Sequence, residues 1–572
     1  MNILVFEKDN CQGCYKCIRH CEVKAISYKD GYASINVKDC VLCGECVNVC
    51  STHAKSVKDD LNIVKDMLAK NERVIVSLAP SYKAYFNNIS LGKMVHVLRK
   101  LGVTDIQETA LAAEVVNNKY VEIVNKEEKK HYITSACYST ILLIEKYYPD
   151  LVEYLLPVDS PMMTHAKLLK SENPNTKVVF IGPCVSKKAE AENIINKGTV
   201  DAVLTFEDID NWMEEEHIEF GEEDNNLLGV INPKTRIYPK NEGVIQSIDE
   251  NALSSKYKRI YVNGLDQVRR LFYQLEEDKE KDNLPPLFIE AHVCLDSCIG
   301  GPILRKKYRL PAITSSYLSP EKQEYDDNLP SCTKAEANIH HPFFARDKND
   351  LIPTEEDIQF ILAQTGKYNK EDEINCGACG YATCREKAIA VFQKKADIEM
   401  CLPFFRKRAE SLSNVIIDHS PNAIFVLNEA LEVQEFNKKA EDLFNLNKTD
   451  TINQVIPMFM TDSIFDEANK TNSTIRKKQY YSEVDKMCQL LVTYIVQHHL
   501  YLVIIEDITE IEAQRNALNI MRNETIDATS AVIEKQMRVA QEIASLLGET
   551  TAQTKVTLTK LKQIVMQEDE NS

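Results

Sequence analysis

The sequence lacks an excess of basic residues and any long apolar run. Lys and Arg number 68 against 86 Asp and Glu, which gives the 572-residue chain a formal charge of −18. With no basic block to offset this charge, nucleic acid and anionic membranes are poor partners. No apolar stretch reaches the roughly 18 residues that a membrane span requires, and residues 1–10 resemble no secretory signal. We therefore expect a cytoplasmic protein that binds neither membrane nor nucleic acid.

Apolar residues make up 44% of the chain and charged residues 27%, a composition that supports folded cores rather than disorder. At roughly 150 residues per domain, the length predicts about four domains. The chain contains 18 cysteines, a heavy load for a reducing compartment unless they bind metal, because disulfides rarely persist there. Their spacing therefore decides which chemistry they support.

Eight cysteines near the N-terminus form two runs of the pattern C-x2-C-x2-C-x3-C. The first run is Cys11, Cys14, Cys17 and Cys21, and the second is Cys40, Cys43, Cys46 and Cys50. Three closely spaced thiolates wrap one face of an iron–sulfur cube, while the fourth reaches a second cube. The duplicated pattern predicts two [4Fe-4S] clusters, although short C-x2-C spacings also suit zinc.

The two runs resemble a bacterial two-cluster ferredoxin. The resemblance implies that Cys50 joins the first three cysteines of the first run on one cube. It also implies that Cys21 joins the first three cysteines of the second run on the other cube. The family's runs usually end in Pro, whereas Glu22 and Ser51 stand here, a departure that affects the local turn more than the ligation.

A third group comprises Cys376, Cys379, Cys384 and Cys401. Residues 385–400 place four apolar residues at helical spacing: Ala388, Val391, Phe392 and Ala396. We expect this helical stretch to return Cys401 to the same cluster, with Gly377 and Gly380 permitting tight turns around it. The group resembles the small four-cysteine [4Fe-4S] domain of corrinoid iron–sulfur proteins, and a zinc knuckle is the alternative.

Four further cysteines lie far apart in the segments TSACYS, GPCVSKKAE and EAHVCLDSCIGG: Cys137, Cys184, Cys294 and Cys298. Lone cysteines are usually small buried hydrophobic residues. Here the three segments resemble, in order, the signature segments of the iron-only ([FeFe]) hydrogenases. That family reads T-S-C-C-P, P-C-x-x-K-x-x-E and E-x-M-x-C-x-x-G-C-x-x-G-G. The resemblance covers roughly residues 71–331.

The hydrogenase resemblance implies an active-site cluster held by these four thiolates. In the family they bind a [4Fe-4S] cube, and the last of them, here Cys298, bridges to a two-iron subsite with carbon monoxide, cyanide and dithiolate ligands. Lys187 matches the lysine that can donate a charge-assisted hydrogen bond to a cyanide ligand. Glu190 and Glu290 match the acids of the second and third segments.

The departures from the family concern the proton path and the cavity wall. Ala136 stands where the family has the cysteine that passes protons, and alanine cannot relay a proton. Residues 138–140 read Tyr-Ser-Thr instead of Pro-x-Trp, Gly182 replaces a methionine, and Ser297 replaces a glycine. His292 replaces another methionine, either as a polar group that tunes the cluster or as a passive wall residue. Together these changes predict hydrogen binding without fast turnover, as in the sensory hydrogenases of this family.

Between residues 58 and 373 the sequence is typical of an α/β protein. Strand-like runs at 74–80, 177–183 and 259–264 alternate with amphipathic stretches such as SPMMTHAKLLK. Cys184 is then predicted to lie at a strand's end, where α/β sheets place ligand-binding loops.

After residue 411 the pattern resembles a PAS domain, a sensory or dimerisation module. Predicted strands at 423–427 and 431–436 lead to Asn437 and an amphipathic helix, and a strand-like segment at 500–510 closes the region. The hydrophobic-Ser-Pro opening and the closing Asp-Ile-Thr-Glu also match such domains. Five residues without a supporting motif are interpreted as structural rather than as haem or cluster ligands: His419, His498, His499, Cys332 and Cys488.

After residue 510 an apolar stripe follows 4-3-4-3 spacing, with Thr551 and Thr554 filling the register after Gly548: Ile533, Met537, Ala540, Ala544, Leu547, Leu558, Leu561 and Val565. The stripe is long enough to pair with another helix, which predicts a homodimer. Gly548 permits a hairpin of two helices instead, and a helix packed on its own PAS domain is a third arrangement.

The sequence thus predicts a multidomain α/β protein with five parts. These are a two-[4Fe-4S] ferredoxin-like module (1–57), an α/β iron hydrogenase core (58–365), a small α four-cysteine [4Fe-4S] domain (366–408), an α+β PAS domain (409–510) and C-terminal dimerisation or output helices (511–572).

The leading functional hypothesis is a sensory [FeFe] hydrogenase with four [4Fe-4S] clusters and a two-iron subsite. We expect it to bind or slowly turn over H2. Its expected partners are H2 and protons, a redox protein such as ferredoxin, and a signalling kinase or phosphatase. The alternatives are a hydrogenase-like redox sensor or adaptor without the two-iron subsite, and an ordinary hydrogenase whose PAS domain only holds a dimer together.

Overall fold

The computed structural model describes most of the chain. The described residues are 3–103, 105–221, 223, 233–307, 310–318, 337–346, 351–456 and 463–568, with the backbone alone described at 412–414 and 564–568. Cys332 lies outside the described residues, as does the side chain of Val565. The chain divides into two compact units, Met1–Phe405 and Arg406–Ser572.

The first unit begins with a small module of two antiparallel strand pairs, as expected for a ferredoxin-like fold. Leu4–Phe6 pairs with Lys55–Val57, and Ile26–Lys29 pairs with Tyr32–Ile35. Each cysteine run contains a one-turn helix, Lys16–Arg19 or Glu45–Asn48. Ile3 and Leu4 belong to the hydrophobic core of the following domain, so the module packs against that domain.

Two parallel sheets form the centre of the α/β core. One has the order Asp105–Glu108, Val74–Leu78, Lys177–Gly182 and Ala202–Thr205, and the other has the order Lys258–Asn263, Leu287–His292 and His131–Ile133. Their middle strands are apolar and almost fully buried, as parallel strands between helical layers usually are. The three strands predicted for this region are confirmed, with ends that differ by one or two residues.

Helices pack around these sheets. They are Leu61–Ala69, Tyr82–Tyr85, Leu91–Lys100, Ala110–Lys126, Tyr138–Tyr147, Pro161–Glu172, Ser186–Glu192, Phe206–Glu215, Gly243–Ser247, Leu265–Lys281, Pro302–Arg305 and Pro311–Ser316. The predicted helix in SPMMTHAKLLK is confirmed as Pro161–Glu172. Its start follows from the sequence, because the Ser160 hydroxyl accepts the Met163 N–H and proline tolerates the first helical position.

The four-cysteine segment folds around two helices, Glu355–Gln364 and Cys384–Phe392. The expectation of one helical stretch across residues 385–400 is wrong in its second half, because the helix ends at Phe392. Lys394 adopts a left-handed φ of 58°, and the Lys395 and Ala396 amides both donate to the Ala390 carbonyl. This helix cap reverses the chain, which then reaches Cys401 through a short 3-10 helix.

The second unit contains a five-stranded antiparallel sheet, as expected for an α+β PAS domain. Its order is Val433–Phe436, Ala423–Asn428, Leu500–Asp507, Lys486–Ile495 and Ile475–Tyr481. The accompanying helices are Leu402–Asp418, Lys438–Phe444, Lys448–Thr451 and Ile464–Thr471. Asn437 caps the helix after it by accepting the Ala440 N–H at 3.0 Å. The helix Leu402–Asp418 runs across the predicted boundary at 408/409, and the four boundaries between the five predicted domains stay predictions.

The C-terminal segment is one continuous helix, Thr509–Glu568, of 60 residues. It passes through Gly548 without a break, so the hairpin alternative is wrong. The predicted closing strand ends at Asp507, because Thr509 begins this helix instead. Every described side chain from residue 513 to 563 is exposed, including Ile533, Leu558 and Leu561. The stripe therefore does not pack on its own PAS domain.

Candidate active site

The four cysteines of the hydrogenase-like segments follow the ends of parallel strands. Cys184 comes just after the strand Lys177–Gly182, as predicted, and Cys294 follows Leu287–His292. Cys137 precedes the helix Tyr138–Tyr147, and Cys298 lies in a one-turn 3-10 helix. These strands belong to the two separate parallel sheets, and in each sheet the cysteine follows the carboxyl end of a strand, where α/β proteins place ligand-binding loops.

The four thiols lie close enough to influence one another's ionisation. Burial, together with the neighbouring thiols Cys298 and Cys137, raises the pKa of Cys184 to about 11. Burial, together with the thiols of Cys184, Cys137 and Cys298, raises the pKa of Cys294 well above its ordinary value. Such thiols ionise only beside positive charge, which bound iron supplies. The donor set therefore fits a cluster, while the ligation of each cysteine stays a prediction.

A cavity of about 90 Å³ opens beside Cys184 and Cys298. Its walls include Ala136, Lys187 and His292, three positions that the sequence singled out. Most of the remaining wall is apolar: Ala79, Pro80, Ala110, Ala113, Pro161, Met162, Phe180, Pro183 and Pro239. The cavity lies at the position where the hydrogenase resemblance implies the two-iron subsite, and Ala136 presents no titratable group to it.

Lys187 is partly buried, with 11% of its side chain exposed, and its ammonium group donates to two oxygens. One is the Ala136 carbonyl at 3.1 Å, and the other is Glu190 Oε2 at 2.5 Å. Burial opposes the charged form of Lys187, but the Glu190 carboxylate outweighs it and raises the lysine's pKa. An ammonium has three donors, so one remains for a ligand in the cavity. The predicted role of Lys187 toward a cyanide ligand is compatible with this geometry.

His292 forms a buried pair with Glu290, with Nε2 and Oε1 3.0 Å apart. The other carboxylate oxygen accepts the Ile245 N–H at 2.9 Å. Burial disfavours the imidazolium, but hydrogen bonding to Cys137, Cys298 and Glu290 raises the pKa of His292 well above its usual value. The same histidine, acting against the effect of burial, lowers the pKa of Cys137 to about 6. This environment favours His292 as a polar group that tunes the cluster over a passive wall residue, and that role stays a prediction.

The backbone at Ser297 adopts a conformation that favours glycine, the residue that the hydrogenase segments have at this position. Its backbone has a φ of 56°, and the preceding Asp296 has a φ of 59°, both in the left-handed region that glycine occupies at no steric cost. The chain adopts this turn with two non-glycine residues, so the substitution leaves the loop to Cys298 in place.

The N-terminal cysteines separate into two groups. Cys21 lies with the first three cysteines of the second run. Burial raises the pKa of Cys46, and the nearby thiols of Cys21, Cys40 and Cys43 raise it further. Cys17 lies with Cys11 and Cys14, whose charges add to the effect of burial on its pKa. The placement of Cys21 beside the second run is the arrangement that the ferredoxin resemblance implies.

Lys55 is a site residue that the sequence analysis missed. It is 3% exposed, and its charge lowers the pKa values of Cys17, Cys46 and Cys50, which belong to both runs. For Cys50 this effect joins hydrogen bonds from Thr52 and Ala54 to outweigh burial. Lys55 follows the second cysteine run without being part of any motif, so no sequence signal could have identified it.

The third cysteine group also converges. Cys376, Cys379, Cys384 and Cys401 all line one cavity of about 30 Å³. The buried Lys367 ammonium lies 3.3 Å from Cys401 Sγ. Gly377 and Gly380 have φ values of 68° and 93°, which confirms that the loop turns at its glycines.

The spacing of these groups differs from that of single-ion sites. Among the described residues, no three His, Cys, Asp or Glu side chains lie close enough to bind one metal ion. A structural zinc ion holds its thiolate sulfurs at a distance of about 2.3 Å, whereas each thiolate of a cubane binds a different iron.

The described part of the chain contains no helix long and apolar enough to span a membrane.

Four family models match the chain. Residues 72–302 match "Iron only hydrogenase large subunit, C-terminal domain" and residues 3–51 match "4Fe-4S dicluster domain". Residues 372–403 match an "Fe-S cluster" model, and residues 413–480 match "PAS fold". The resemblances to hydrogenases, dicluster ferredoxins and PAS domains are thereby confirmed for these segments. The chain is a hydrogenase-like iron–sulfur protein with a PAS domain.

Curated relatives are distant. The NADP-reducing hydrogenase subunit HndD of Solidesulfovibrio fructosivorans is 24% identical over 46% of this chain and 55% of its own length. Iron hydrogenase 1 of Clostridium pasteurianum is 25% identical over 43% of this chain and 53% of its own length. The chain spans about half the length of these relatives. The cytosolic Fe-S cluster assembly factor NAR1 of Vanderwaltozyma polyspora is 27% identical over 32% of this chain and 37% of its own length.

Solved structures show likeness at lower identity. A chain from a structure on oxygen inactivation of [FeFe]-hydrogenase has a TM-score of 0.37 and 15% identity, covering 50% of this chain and 98% of that one. The PAS domain of nitrogen regulation protein NR(II) from Vibrio parahaemolyticus has a TM-score of 0.15 and 15% identity, covering 17% of this chain and 97% of that one.

Proposed function

We propose that the protein is a sensory [FeFe] hydrogenase that binds or slowly turns over H2 and couples the redox state of its clusters to a signalling partner. The observation that carries this proposal is the convergence of four partly buried thiols, two of which, Cys184 and Cys298, line a cavity walled by Lys187 and His292. Ala136 lines the same cavity, in the position that the resemblance gives to the proton-passing thiol. The two-iron group, when bound there, supplies the site at which H2 is split or formed.

Slow turnover follows from the residues around the cavity. Ala136 offers no proton, and the Lys187 ammonium is held by Glu190 and the Ala136 carbonyl. A positioned acid–base group typically accelerates a reaction by about 10² to 10⁴-fold, and its loss forfeits that gain. Lys187 and the His292–Glu290 pair instead fix the charge around the cavity, which favours binding over rapid chemistry.

Contacts between the core and the second cysteine run support an electron path out of the site. Lys146 Nζ donates to the Cys40 carbonyl at 2.6 Å, and Arg305 pairs with Glu45 at 2.5 Å. The charge of Cys43 is close enough to add to the raised pKa of Cys294. Four [4Fe-4S] clusters, three outside the core and one in the active site, would connect hydrogen to a redox partner such as ferredoxin.

We infer that the output is carried by the PAS domain and the long helix. The exposed apolar stripe along Thr509–Glu568 suits pairing with a second copy of this chain, and the resulting homodimer would present its signal to a kinase or phosphatase. Such coupling exists only if that partner binds the two redox states with different affinity. Cluster thiolates suit a reducing compartment, so we propose a cytoplasmic location.

Infrared spectroscopy tests the active-site proposal. Protein matured with the two-iron cofactor should show cyanide and carbonyl bands that shift under H2. Cys298→Ala should abolish these bands, whereas Cys379→Ala, in the separate four-cysteine domain, should retain them. Absence of the bands from iron-replete, matured protein would refute a hydrogen-binding function.

The second candidate is a hydrogenase-like iron–sulfur redox sensor or adaptor that lacks the two-iron subsite. The match to the assembly factor NAR1 and the alanine at position 136 favour it. This function predicts four cubanes, no cyanide or carbonyl bands after maturation, and no response to H2. Reduction by dithionite should then change partner binding while H2 has no effect.

A further inference from the structure

We propose that the four-cysteine domain, residues 366–408, holds the last cluster of the electron path and is docked on the first cysteine run of the ferredoxin-like module. The inference rests on the proposed redox function and goes beyond it, because it assigns the order of the clusters and the one nearest the output.

The core contacts the second cysteine run closely. A Cβ at Gly44 would lie 2.6 Å from Pro302 in the segment after Cys298, and 3.4 Å from Val185, the residue after Cys184. Ser139, two residues after Cys137, donates to the Leu42 carbonyl at 3.4 Å. The loop carrying Cys40 and Cys43 therefore lies against the segments that carry the active-site thiols.

The first cysteine run instead contacts the four-cysteine domain. The Arg19 guanidinium donates to the Cys14 carbonyl at 3.2 Å and to the Ala378 carbonyl at 3.1 Å. Ala378 lies between Cys376 and Cys379, so one side chain bridges the two cysteine loops. Lys24 adds a second bridge, since its Nζ donates to the Ile18 carbonyl at 3.2 Å and to the Gly380 carbonyl at 2.8 Å.

The two loops are in direct contact at Gly380 and Ile18, beside a surface cavity that Arg19, Lys24 and Gly377 line. A Cβ at Gly380 would lie 2.8 Å from the side chain of Ile18, so only glycine permits this approach. Tyr381 is 2% exposed and shares a hydrophobic core with Ile18 and Cys17. Elsewhere in this interface, the Lys395 carbonyl accepts the Tyr28 N–H at 2.9 Å.

The fixed charges reinforce the docking. Lys395 pairs with Asp39 at 2.9 Å, and both side chains are nearly buried, which distinguishes this pair from exposed ion pairs of little energetic value. Asp39 precedes Cys40, so this pair holds the four-cysteine domain on the module beside the second run. The contacts between cysteine loops join the active-site segments to the second run and the first run to the Cys376–Cys379 loop, which is the order that we propose for the electron path.

The cluster of the four-cysteine domain is also the one whose predicted ligands lie nearest to the PAS domain in sequence. Cys401 is followed at once by the helix Leu402–Asp418, whose later residues belong to the second unit. Electrons that reach this cluster would therefore act beside the first residue of the connecting helix, and none of the other fifteen predicted ligands stands next to it in sequence.

Electron paramagnetic resonance of the full-length, anaerobically reduced protein tests the docking. Neighbouring reduced clusters couple magnetically, so the wild-type protein should show an interaction-broadened spectrum. In Arg19→Gln/Lys24→Gln both bridges are removed, and the component assigned to the four-cysteine domain, identified by its loss in Cys379→Ala, should revert to an isolated signal. The matched control Lys16→Gln/Lys29→Gln removes the same charge from exposed lysines of the same module and should retain the coupling.

Iron and sulfide content should remain at the wild-type value in both double variants. If Arg19→Gln/Lys24→Gln loses iron, Lys24→Gln alone provides the readout, because the Arg19 bridge to the Cys14 loop is intact. Coupling that persists after both bridges are removed, or that is absent from fully reduced wild-type protein, would overturn the proposed order.

The choice of reductant separates this inference from the proposed function. Dithionite reduces clusters whether or not the protein reacts with H2, so it tests the docking alone. If dithionite reveals coupling that the double variant loses while H2 reduces nothing, the order stands and the hydrogen function fails. If H2 reduces the clusters of the core and module but the coupling is absent, the function stands and the docking is overturned.

Discussion

Restoring the missing thiol at position 136 should accelerate hydrogen turnover. Ala136 lines the cavity beside Cys298, and Lys187 binds it only through its backbone carbonyl. A cysteine side chain would therefore enter the cavity without breaking that hydrogen bond. Its thiol can donate and accept a proton at the place where alanine can do neither.

The expected gain follows from the general size of acid–base catalysis. A positioned proton donor contributes about 10² to 10⁴-fold, which corresponds to about 3 to 5 kcal/mol of activation free energy. We expect the lower end of that range, about 10²-fold, because a proton donor needs a matched environment. Here residues 138–140 and His292 alter the surroundings of the new thiol.

The assay is hydrogen uptake with an artificial electron acceptor, normalised to the intensity of the cyanide and carbonyl bands so that maturation does not confound the rate. Ala136→Ser is the matched control, since its hydroxyl is similar in size but holds its proton far more tightly than a thiol. Ala136→Cys should exceed both the wild type and Ala136→Ser. An equal rate in all three fully matured proteins would show that proton delivery is not the limiting step.

Three further predictions concern other parts of the chain. Cys379→Ala should remove one cluster's share of iron and sulfide and expose residues 366–408 to proteolysis, since thiolate ligation is part of that fold; stoichiometric zinc with little iron in wild-type protein would contradict this. Leu558→Lys with Leu561→Lys should weaken the homodimer in sedimentation analysis while hydrogen chemistry survives, because burying the charges costs several kcal/mol. The control Thr559→Lys, which lies outside the stripe, should remain dimeric. A double variant that is as dimeric as the wild type would show that the helix does not form the dimer interface. Burial lowers the pKa of His165 to about 4, so the folded state stays neutral while the unfolded chain takes up a proton below pH 6.5. Between pH 6.5 and about 4, the unfolding free energy should therefore fall by about 1.4 kcal/mol per pH unit, relative to His165→Gln; parallel pH profiles in denaturant titrations would refute it.

Local spacing explains why much of the site could be predicted. The two N-terminal runs each place their first three cysteines within one short turn, and the separation of Cys376, Cys379 and Cys384 is similarly local. A pattern of this kind fixes which thiols can share a cluster before any tertiary contact is known. The strand preceding Cys184 is likewise marked by its own Val- and Ile-rich sequence, Lys177–Gly182.

Contacts between segments distant in sequence could not be predicted in this way. Arg19 reads as an ordinary helical arginine, yet it donates to a carbonyl 359 residues away. Lys55 stands outside every motif, although tertiary packing brings its charge beside both cysteine runs. The early end of the helix Cys384–Phe392 was missed for a related reason, because apolar spacing continued to Ala396 while the left-handed turn at Lys394 redirected the chain.

The residue at position 292 shows how such contacts change a functional interpretation. From the sequence, its histidine was equally compatible with tuning the cluster and with forming a passive wall. The pairing of Nε2 with Glu290 at 3.0 Å, in a region where both side chains are nearly inaccessible, favours the first interpretation, which stays a prediction. A buried carboxylate without a partner would be costly, so Glu290 and His292 stabilise each other. The thiols of Cys137 and Cys298 also contribute to the raised pKa of His292. We therefore interpret the histidine at position 292 and the acid at position 290 together, as one buried pair in a cavity whose wall at Ala136 offers no proton donor.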